Sequence, residues 1–454
     1  MKKIFPSAVI LIFISIFVFL SINFVKNPNE SYVKKIVVKV IPKTIKNKIK
    51  ILIANLNVTN TNDNATIENF KKRDKNFVSD IKNKDNFITN TFINSKVPVS
   101  FNKTQIKTKI NNTSFFLSKF SSNILSHGQH TSAQASAYLD IYNDSIIISS
   151  KDGSIFYFNM NDLSGDNLNA LSIPSNIKKI ITYNEFYTNK RFGVKDALIF
   201  KDKIYISYTN QMTEDCYNTS VIVAEMNYDF LKFKNFFNPP DCVRKDNIYG
   251  EFSANSAGGK IFPFKNDMLI FTQGEYRYRT LAQDLSNSFG KILAINDKNW
   301  EILSYGHRNP QGLYYDLDKD IIVNSEHGPD GGDEININHN PSNSNIKNYG
   351  WPISSYGKHY YNVDKKYFDT APLHKSHKDY GFQEPIHYYT PSIATSEIIK
   401  IPNIFFKGTL ENNNENFFLS SLGYTDYEKE KSIYHIQFNN NLTELISENQ
   451  IKIG

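Results

Sequence analysis

Gly306-His307-Arg308-Asn309-Pro310-Gln311-Gly312-Leu313, then Ser325-Glu326-His327-Gly328-Pro329-Asp330-Gly331-Gly332-Asp333-Glu334-Ile335-Asn336, and last Asn348-Tyr349-Gly350-Trp351-Pro352, form the one dense motif of the 454-residue chain. The first part sets a permanent cation, Arg308, and two amides, Asn309 and Gln311, beside a Pro and a Gly. Such donors on a constrained turn suit an anionic or many-oxygened ligand. The second part is a Gly/Pro turn with Glu326, Asp330, Asp333 and Glu334, where a bent backbone can aim carbonyl oxygens at a hard cation such as Ca²⁺. Both parts follow short apolar runs, Glu301 to Tyr305 and Asp320 to Asn324, so they sit where strands end. A turn network of Asp and Gly that merely caps strands is the competing reading, and the chemistry alone leaves both open.

Working outward, short β-branched and aromatic runs joined by Asp, Asn and Gly begin at about Ala137. Ser145 to Ser150 and Ser154 to Asn159 flank Lys151-Asp152-Gly153, a hairpin signal. The unit recurs around Asp202, Asp267 and Asp320, a spacing of roughly 53 to 65 residues that suits four-stranded propeller blades with loop insertions. A sandwich with long loops is the alternative on spacing alone. Runs at Ser396 to Ile401, Asn416 to Ser420 and Ser432 to Phe438 are expected to supply the final blades, and almost nothing asks to be helical.

The motif resembles, nearly word for word, that of the glucose/sorbosone dehydrogenase family, six-bladed propellers that oxidise aldoses with pyrroloquinoline quinone (PQQ) and Ca²⁺. The resemblance extends more weakly from about Ala137 to the C-terminus and does not cover the first hundred or so residues. It implies an all-β, six-bladed β-propeller with an incomplete last blade. Arg308 and Asn309 match the pair that contacts the quinone, with Gln311 retained beside them. Gly328 and Pro329 match the positions whose carbonyl oxygens hold the Ca²⁺. Ala282-Gln283-Asp284 through Gly290-Lys291-Ile292-Leu293 repeats another family phrase, read as structural, and Thr390-Pro391-Ser392-Ile393 falls in a loop of the kind that lines the site.

Departures from the family pattern bear on activity. Hydride abstraction needs a base on the sugar hydroxyl, and the family supplies a His in a segment of the form His-x-x-Gly-(Gly)-Arg. Here the segment reads Ser253-Ala254-Asn255-Ser256-Ala257-Gly258-Gly259-Lys260. The base therefore falls on Asn255 or Ser256, neither of which accepts a proton near neutral pH. The carboxylate that backs the base survives as Glu275. Gly423 stands where the family has a cofactor-contacting Lys, and Gly454 precedes the strand that carries an Arg-x-Arg pair. Losing three cations at about 1.5 to 3 kcal/mol for each charged hydrogen bond removes most of the cofactor affinity. A partial sequence or a degenerate site each explains this.

Ahead of the propeller, Ile4 to Val25 is almost wholly apolar, follows Lys2 and Lys3 and lacks a good cleavage site. Residues 1–26 read as a membrane anchor, 27–125 as a polar tether with little structure, and 126–454 as the propeller. Cys216 and Cys242, the only cysteines, read as one disulfide in an oxidising compartment, with two free thiols as the alternative. The disulfide reading places the propeller outside the cytoplasm, in the periplasm. The net charge of +7 comes mostly from scattered Lys, since only six residues are Arg, which argues against a nucleic-acid face. His374-x-x-His377 reads as solvated loop histidine rather than a metal site, and no Gly-x-Ser-x-Gly elbow, Walker loop or dinucleotide fingerprint occurs. Three functions follow: a PQQ- and Ca²⁺-dependent aldose dehydrogenase whose base is another residue such as His307 or His327, an inactive propeller that binds a glycan or protein, and a structural envelope domain.

Overall fold

The computed structural model describes residues 91–453, except 111–112, 123–136, 182–191, 344, 361–364, 366–367, 403–413 and 424–430. The apolar run from Ile4 to Val25 and most of the expected tether lie outside the described residues. Among those described, no helix is long and apolar enough to cross a membrane.

Five antiparallel sheets make an all-β, propeller-like fold. The first holds β1 (Pro98–Ile110), β2 (Thr113–Ser121), β3 (Ala137–Tyr142), β4 (Ser145–Ser150), β5 (Ile155–Asn159) and β6 (Asn167–Ser172), in the order β2-β1-β6-β5-β4-β3. The second runs from β7 (Val194–Phe200) through β8 (Lys203–Thr213) and β9 (Cys216–Glu225) to β10 (Lys234–Phe237), with β11 (Val243–Arg244) also on β9. The third is β12 (Gly258–Pro263), β13 (Leu269–Gln273), β14 (Lys291–Ile295) and β15 (Trp300–Tyr305); β19 (Lys347–Asn348) joins its edge in parallel. The fourth is β16 (Pro310–Asp316), β17 (Ile321–Glu326), β18 (Asp333–His339) and β20 (His387–Tyr389). The fifth is β21 (Thr395–Ile401), β22 (Glu415–Ser421), β23 (Ser432–Phe438) and β24 (Leu445–Lys452). One strand from each sheet adjoins the next in the series β3, β7, β12, β16, β21.

Tight turns close the hairpins where the sequence placed them. Lys201 and Asp202 both take positive φ, 51° and 58°, the twist that a two-residue hairpin loop needs. Alternation then buries both faces of each blade. In β13, Leu269 and Phe271 pack toward the second sheet while Ile270, between them, packs toward the fourth. In β17, Ile321 and Val323 meet Ile398, Phe417 and Leu419 of the fifth sheet, and Ile322 meets Leu313 and Ile292. Each fully buried Ile, Leu or Phe contributes roughly 1.5 to 3 kcal/mol.

Two expectations are corrected. Five blades, not six, form among the described residues, because the three late runs expected to supply more than one blade pair with each other in a single sheet, Ile398 opposite Leu419 and Leu419 opposite Tyr434. The tether expected over 27–125 also ends in structure. Pro98 to Asn102 of β1 pairs with β6, and β1 forms a hairpin with β2. Val99 and Phe101 bury against Phe156 and Leu168, which gives this polar stretch an apolar face.

Candidate functional site

Strands β3, β7, β12, β16 and β21, one from each sheet, line a central cavity of about 1350 Å³. Arg308, Asn309, Gln311, Gly328 and Pro329 all reach it, and so do Asn255 and Ser256. Glu275 lies behind it, in a small pocket shared with Arg277, Arg279, Arg308 and Tyr360. Gly423 and Ser392 also line the cavity.

The turn after β15 is built around Gly306, at φ 75°, where an added Cβ would sit 2.1 Å from Asn348 Oδ1 and 2.7 Å from Gly350 N. Only glycine fits there. His307 and Arg308 follow, and Glu326 at the end of β17 fastens both. Its Oε1 lies 2.8 Å from His307 Nδ1, its Oε2 accepts from Arg308 N at 2.8 Å, and Asn336 Nδ2 donates to Oε1 at 2.8 Å. Burial alone would push the Glu326 pKa up, but His307 and the Arg308 and Asn309 amides hold it below the usual range. His307 Nε2 is 2.8 Å from Ser304 Oγ, and its ring stacks on Tyr349. His307 is therefore fully buried within this network and does not line the cavity, which corrects the expectation that it stands in as a base.

Arg308 leaves its backbone in that clasp and sends its guanidinium to the cavity, where it donates to His327 O at 3.0 Å and Tyr360 Oη at 3.3 Å and packs over Trp351. Asn309 Oδ1 accepts from Gly258 N at 3.0 Å, which ties the Arg308–Asn309 loop to the Ser253–Lys260 segment. Gln311 makes a second tie: its Nε2 donates to Asn255 O at 3.2 Å and its Oε1 faces His327 Nε2 at 3.0 Å. His327 Nε2 therefore carries the proton. Burial holds its pKa below the ordinary histidine value.

The loop after β17 is held by Asp333, which accepts from Gly328 N at 3.0 Å and, through its other oxygen, from Ser392 Oγ, Ile393 N and Thr395 N. One carboxylate thus fixes both this loop and the Thr390–Ile393 loop. A Cβ on Gly328 would lie 2.2 Å from Gly331 O and 2.3 Å from Gly332 O, so the turn requires glycine. Among the described residues, no hydrogen bond reaches the carbonyl oxygen of Gly328 or of Pro329. No cluster of three or more His, Cys, Asp or Glu side chains that could hold a metal occurs among them either.

Around the missing base, Asn255 is exposed to the cavity, whereas Ser256 is buried and its carbonyl accepts from Tyr276 N at 2.8 Å. Glu275 is fully buried, and among the described residues its carboxylate oxygens accept no close hydrogen bond, although the Arg277 amide lies near enough to pull its pKa down. Burial raises its pKa against the pull of Arg308, Arg279 and Arg277. Gln283 bonds Asn348 and Trp351 O, and buried Lys291 donates to three carbonyls, so the family phrase around them is structural. Cys216 and Cys242 are joined, 26 residues apart. His377 is buried rather than solvated: its Nδ1 donates to Tyr349 O at 2.9 Å and its Nε2 is 3.2 Å from Glu334 Oε1.

Six basic residues that line the cavity, Lys151, Lys195, Lys260, Arg277, Lys400 and Lys431, escaped the sequence reading. Lys195 lies on β7, Arg277 follows Glu275, and Lys260 is held by Asp196 at 2.9 Å and by Glu397. The signals were there: a lone Lys in the alternating run Val194–Phe200, and two of the six Arg within Glu275-Tyr276-Arg277-Tyr278-Arg279.

The sequence profile of the glucose/sorbosone dehydrogenases matches residues 137–451. The chain belongs to this family. Among curated proteins it is similar to the aldose sugar dehydrogenase YliI of Escherichia coli, 29% identical over 227 residues that make 45% of this chain and 56% of that protein. It is also similar to the uncharacterized protein slr1608 of Synechocystis, 29% identical over 191 residues, 39% of this chain and 41% of that one. This family member thus spans about half the length of the curated relatives it matches. Among solved structures it shares its fold with a glucose dehydrogenase, at 21% identity and a TM-score of 0.53 over 69% of this chain and 85% of that one. The apo form of the soluble E. coli aldose sugar dehydrogenase gives 21% and 0.53 over 69% and 84%.

Proposed function

We propose that this glucose/sorbosone dehydrogenase family member oxidises an aldose at C1 with PQQ and Ca²⁺ held in the central cavity. One observation carries the reading: Arg308, Asn309 and Gln311 converge on the same cavity as Gly328 and Pro329, whose carbonyl oxygens accept no hydrogen bond among the described residues. That donor set fits the cofactor. The Arg308 guanidinium suits a carboxylate, and two main-chain oxygens suit a hard cation whose remaining ligands come from the cofactor and water. PQQ, when bound, supplies the acceptor for the two electrons of sugar oxidation. Everything else falls to the chain: Asp333 holds the cation-binding loop, Glu326 locks the Arg308 backbone, and Gln311 sets the His327 tautomer.

A second reading, an inactive propeller that binds a glycan or protein, is favoured by Asn255 and Ser256 at the base position and by buried Glu275, whose carboxylate accepts no close hydrogen bond among the described residues. Titration of the purified chain with PQQ, with and without Ca²⁺, followed by dye reduction with a panel of aldoses, separates the two. Saturable Ca²⁺-dependent binding is expected, weakened about 30- to 100-fold in Arg308→Ala by loss of a charged hydrogen bond. Binding without dye reduction would favour the second reading; no binding would remove the first. The joined cysteines support a site of action in an oxidising compartment, the periplasm, with the N-terminal apolar run as membrane anchor.

A further inference from the structure

Glu275 to Tyr278 makes a tight turn, closed by Tyr278 N donating to Glu275 O at 2.7 Å, and both central residues take positive φ, Tyr276 at 52° and Arg277 at 66°. Glycine and asparagine are the usual occupants of such positions, so two large side chains there are strained. Tyr276 has a reason to be present: it is fully buried, with its ring stacked on Phe252 and its Oη 2.6 Å from Thr219 Oγ1. Arg277 contributes nothing to that core and reaches the cavity instead.

Its Nε is buried there without a hydrogen-bond partner. The guanidinium packs over the Tyr360 ring, 5.0 Å from the centroid. Arg308 comes to the same ring from its own loop, with Cζ 6.0 Å from the centroid and Nη2 donating to Tyr360 Oη at 3.3 Å. Glu275 N donates to Arg308 O at 3.1 Å, which fixes the turn to that loop. Glu275 and Glu251 act on Arg277 from further off, and Glu251 is already paired with Arg279. Among the described residues, neither Arg277 nor Arg308 has a carboxylate at ion-pair distance. Burial and the neighbouring Arg308 charge lower the Arg277 pKa. Two cations held together in this way are a liability until an anion joins them.

We propose that Arg277 and Arg308, with the Tyr360 hydroxyl between them, form a clamp that takes one carboxylate in the central cavity. Planar guanidiniums match a carboxylate through paired N–H donors. With Glu275 ionised behind them, the two leave one positive charge in excess, which suits a monoanionic carboxylate better than a phosphate dianion. The clamp stands whether or not the cavity oxidises sugars. Its carboxylate can come from an acidic sugar or from the quinone, and the test separates these sources.

Isothermal titration of the full chain, Arg277→Gln and Arg277→Lys with glucuronate, glucose and PQQ without added Ca²⁺ decides. At least one carboxylate ligand is expected to bind the parent and to lose about 10- to 100-fold in Arg277→Gln, with Arg277→Lys recovering part of the loss and salt weakening the parent more than the Gln variant. Glucuronate behaving in this way, with glucose indifferent to the substitutions, identifies an acidic sugar; PQQ behaving in this way identifies the quinone. Affinities for both carboxylate ligands within about threefold of the parent in Arg277→Gln would overturn the clamp, as would a parent that binds neither. Ligand-free Arg277→Gln is expected to melt at or above the parent's temperature, and a lower value would make the residue structural instead. A parent that binds glucuronate but not PQQ would refute the quinone reading and leave the clamp standing. PQQ binding kept in Arg277→Gln, with no Arg277-dependent glucuronate binding, would do the reverse.

Discussion

Glu326 and Glu275 are both buried carboxylates in contact with Arg308, and the structure treats them in opposite ways. Glu326 accepts from the Arg308 amide, the His307 ring and Asn336, and its pKa lies below the usual range. Glu275 donates its own amide to Arg308 O at 3.1 Å, yet among the described residues its carboxylate accepts no close hydrogen bond, and burial raises its pKa against the weaker pull of the neighbouring guanidiniums and the Arg277 amide. The difference lies in partners rather than depth, since both are buried. A buried charge is tolerated when donors surround it and is a liability when they do not. Glu326 serves the Gly306–Arg308 turn, where its partners are present.

Glu326→Ala carries the largest expected effect. It strands His307 Nδ1, Arg308 N and Asn336 Nδ2 together, a loss of about 3 to 5 kcal/mol in urea unfolding. A variant as stable as the parent would mean that the clasp does not hold the loop. The pH dependence sharpens the contrast. The depressed pKa of Glu326 makes its contribution present above the unfolded carboxyl value of 4.5 and lost as pH falls through the folded value. Glu275 runs the other way: its raised pKa favours the folded state in acid, and that advantage disappears as pH rises from 4.5 through the folded value. Glu275→Gln is therefore the smallest effect and opposite in sign to that of Glu326→Ala. Its melting temperature is expected to match the parent's in acid and to exceed it by a few degrees near neutrality. A lower melting temperature in the variant at neutral pH would show that the three guanidiniums do stabilise the ionised carboxylate.

The same contrast governs what could be read in advance. The motif from Gly306 to Pro352 was legible because its demands are local: Gly306 and Gly328 stand where any Cβ would strike backbone or a neighbouring side chain. The hairpins around Asp202 and Asp320 were legible from alternation and turn residues. The blade count was not, because whether late runs found one sheet or two depends on which edges pair. The hairpin β1–β2 hid inside polar sequence, its only signal being the alternation of Val99 and Phe101. His377 looked solvated among lysines, yet it closes onto Glu334 and Tyr349 from distant segments.

By itself, then, the sequence determined the strands, their turns, the family and the loop that carries Arg308, because propensity, alternation and glycine geometry act over a few residues. Only the tertiary structure decided that Lys195 of the second sheet lies against Ala254, that His307 is sealed away while His327 faces the cavity, and that Glu275 is buried among three guanidiniums. Burial and proximity set the proton affinity of each of these groups, and both arise from segments far apart in the chain.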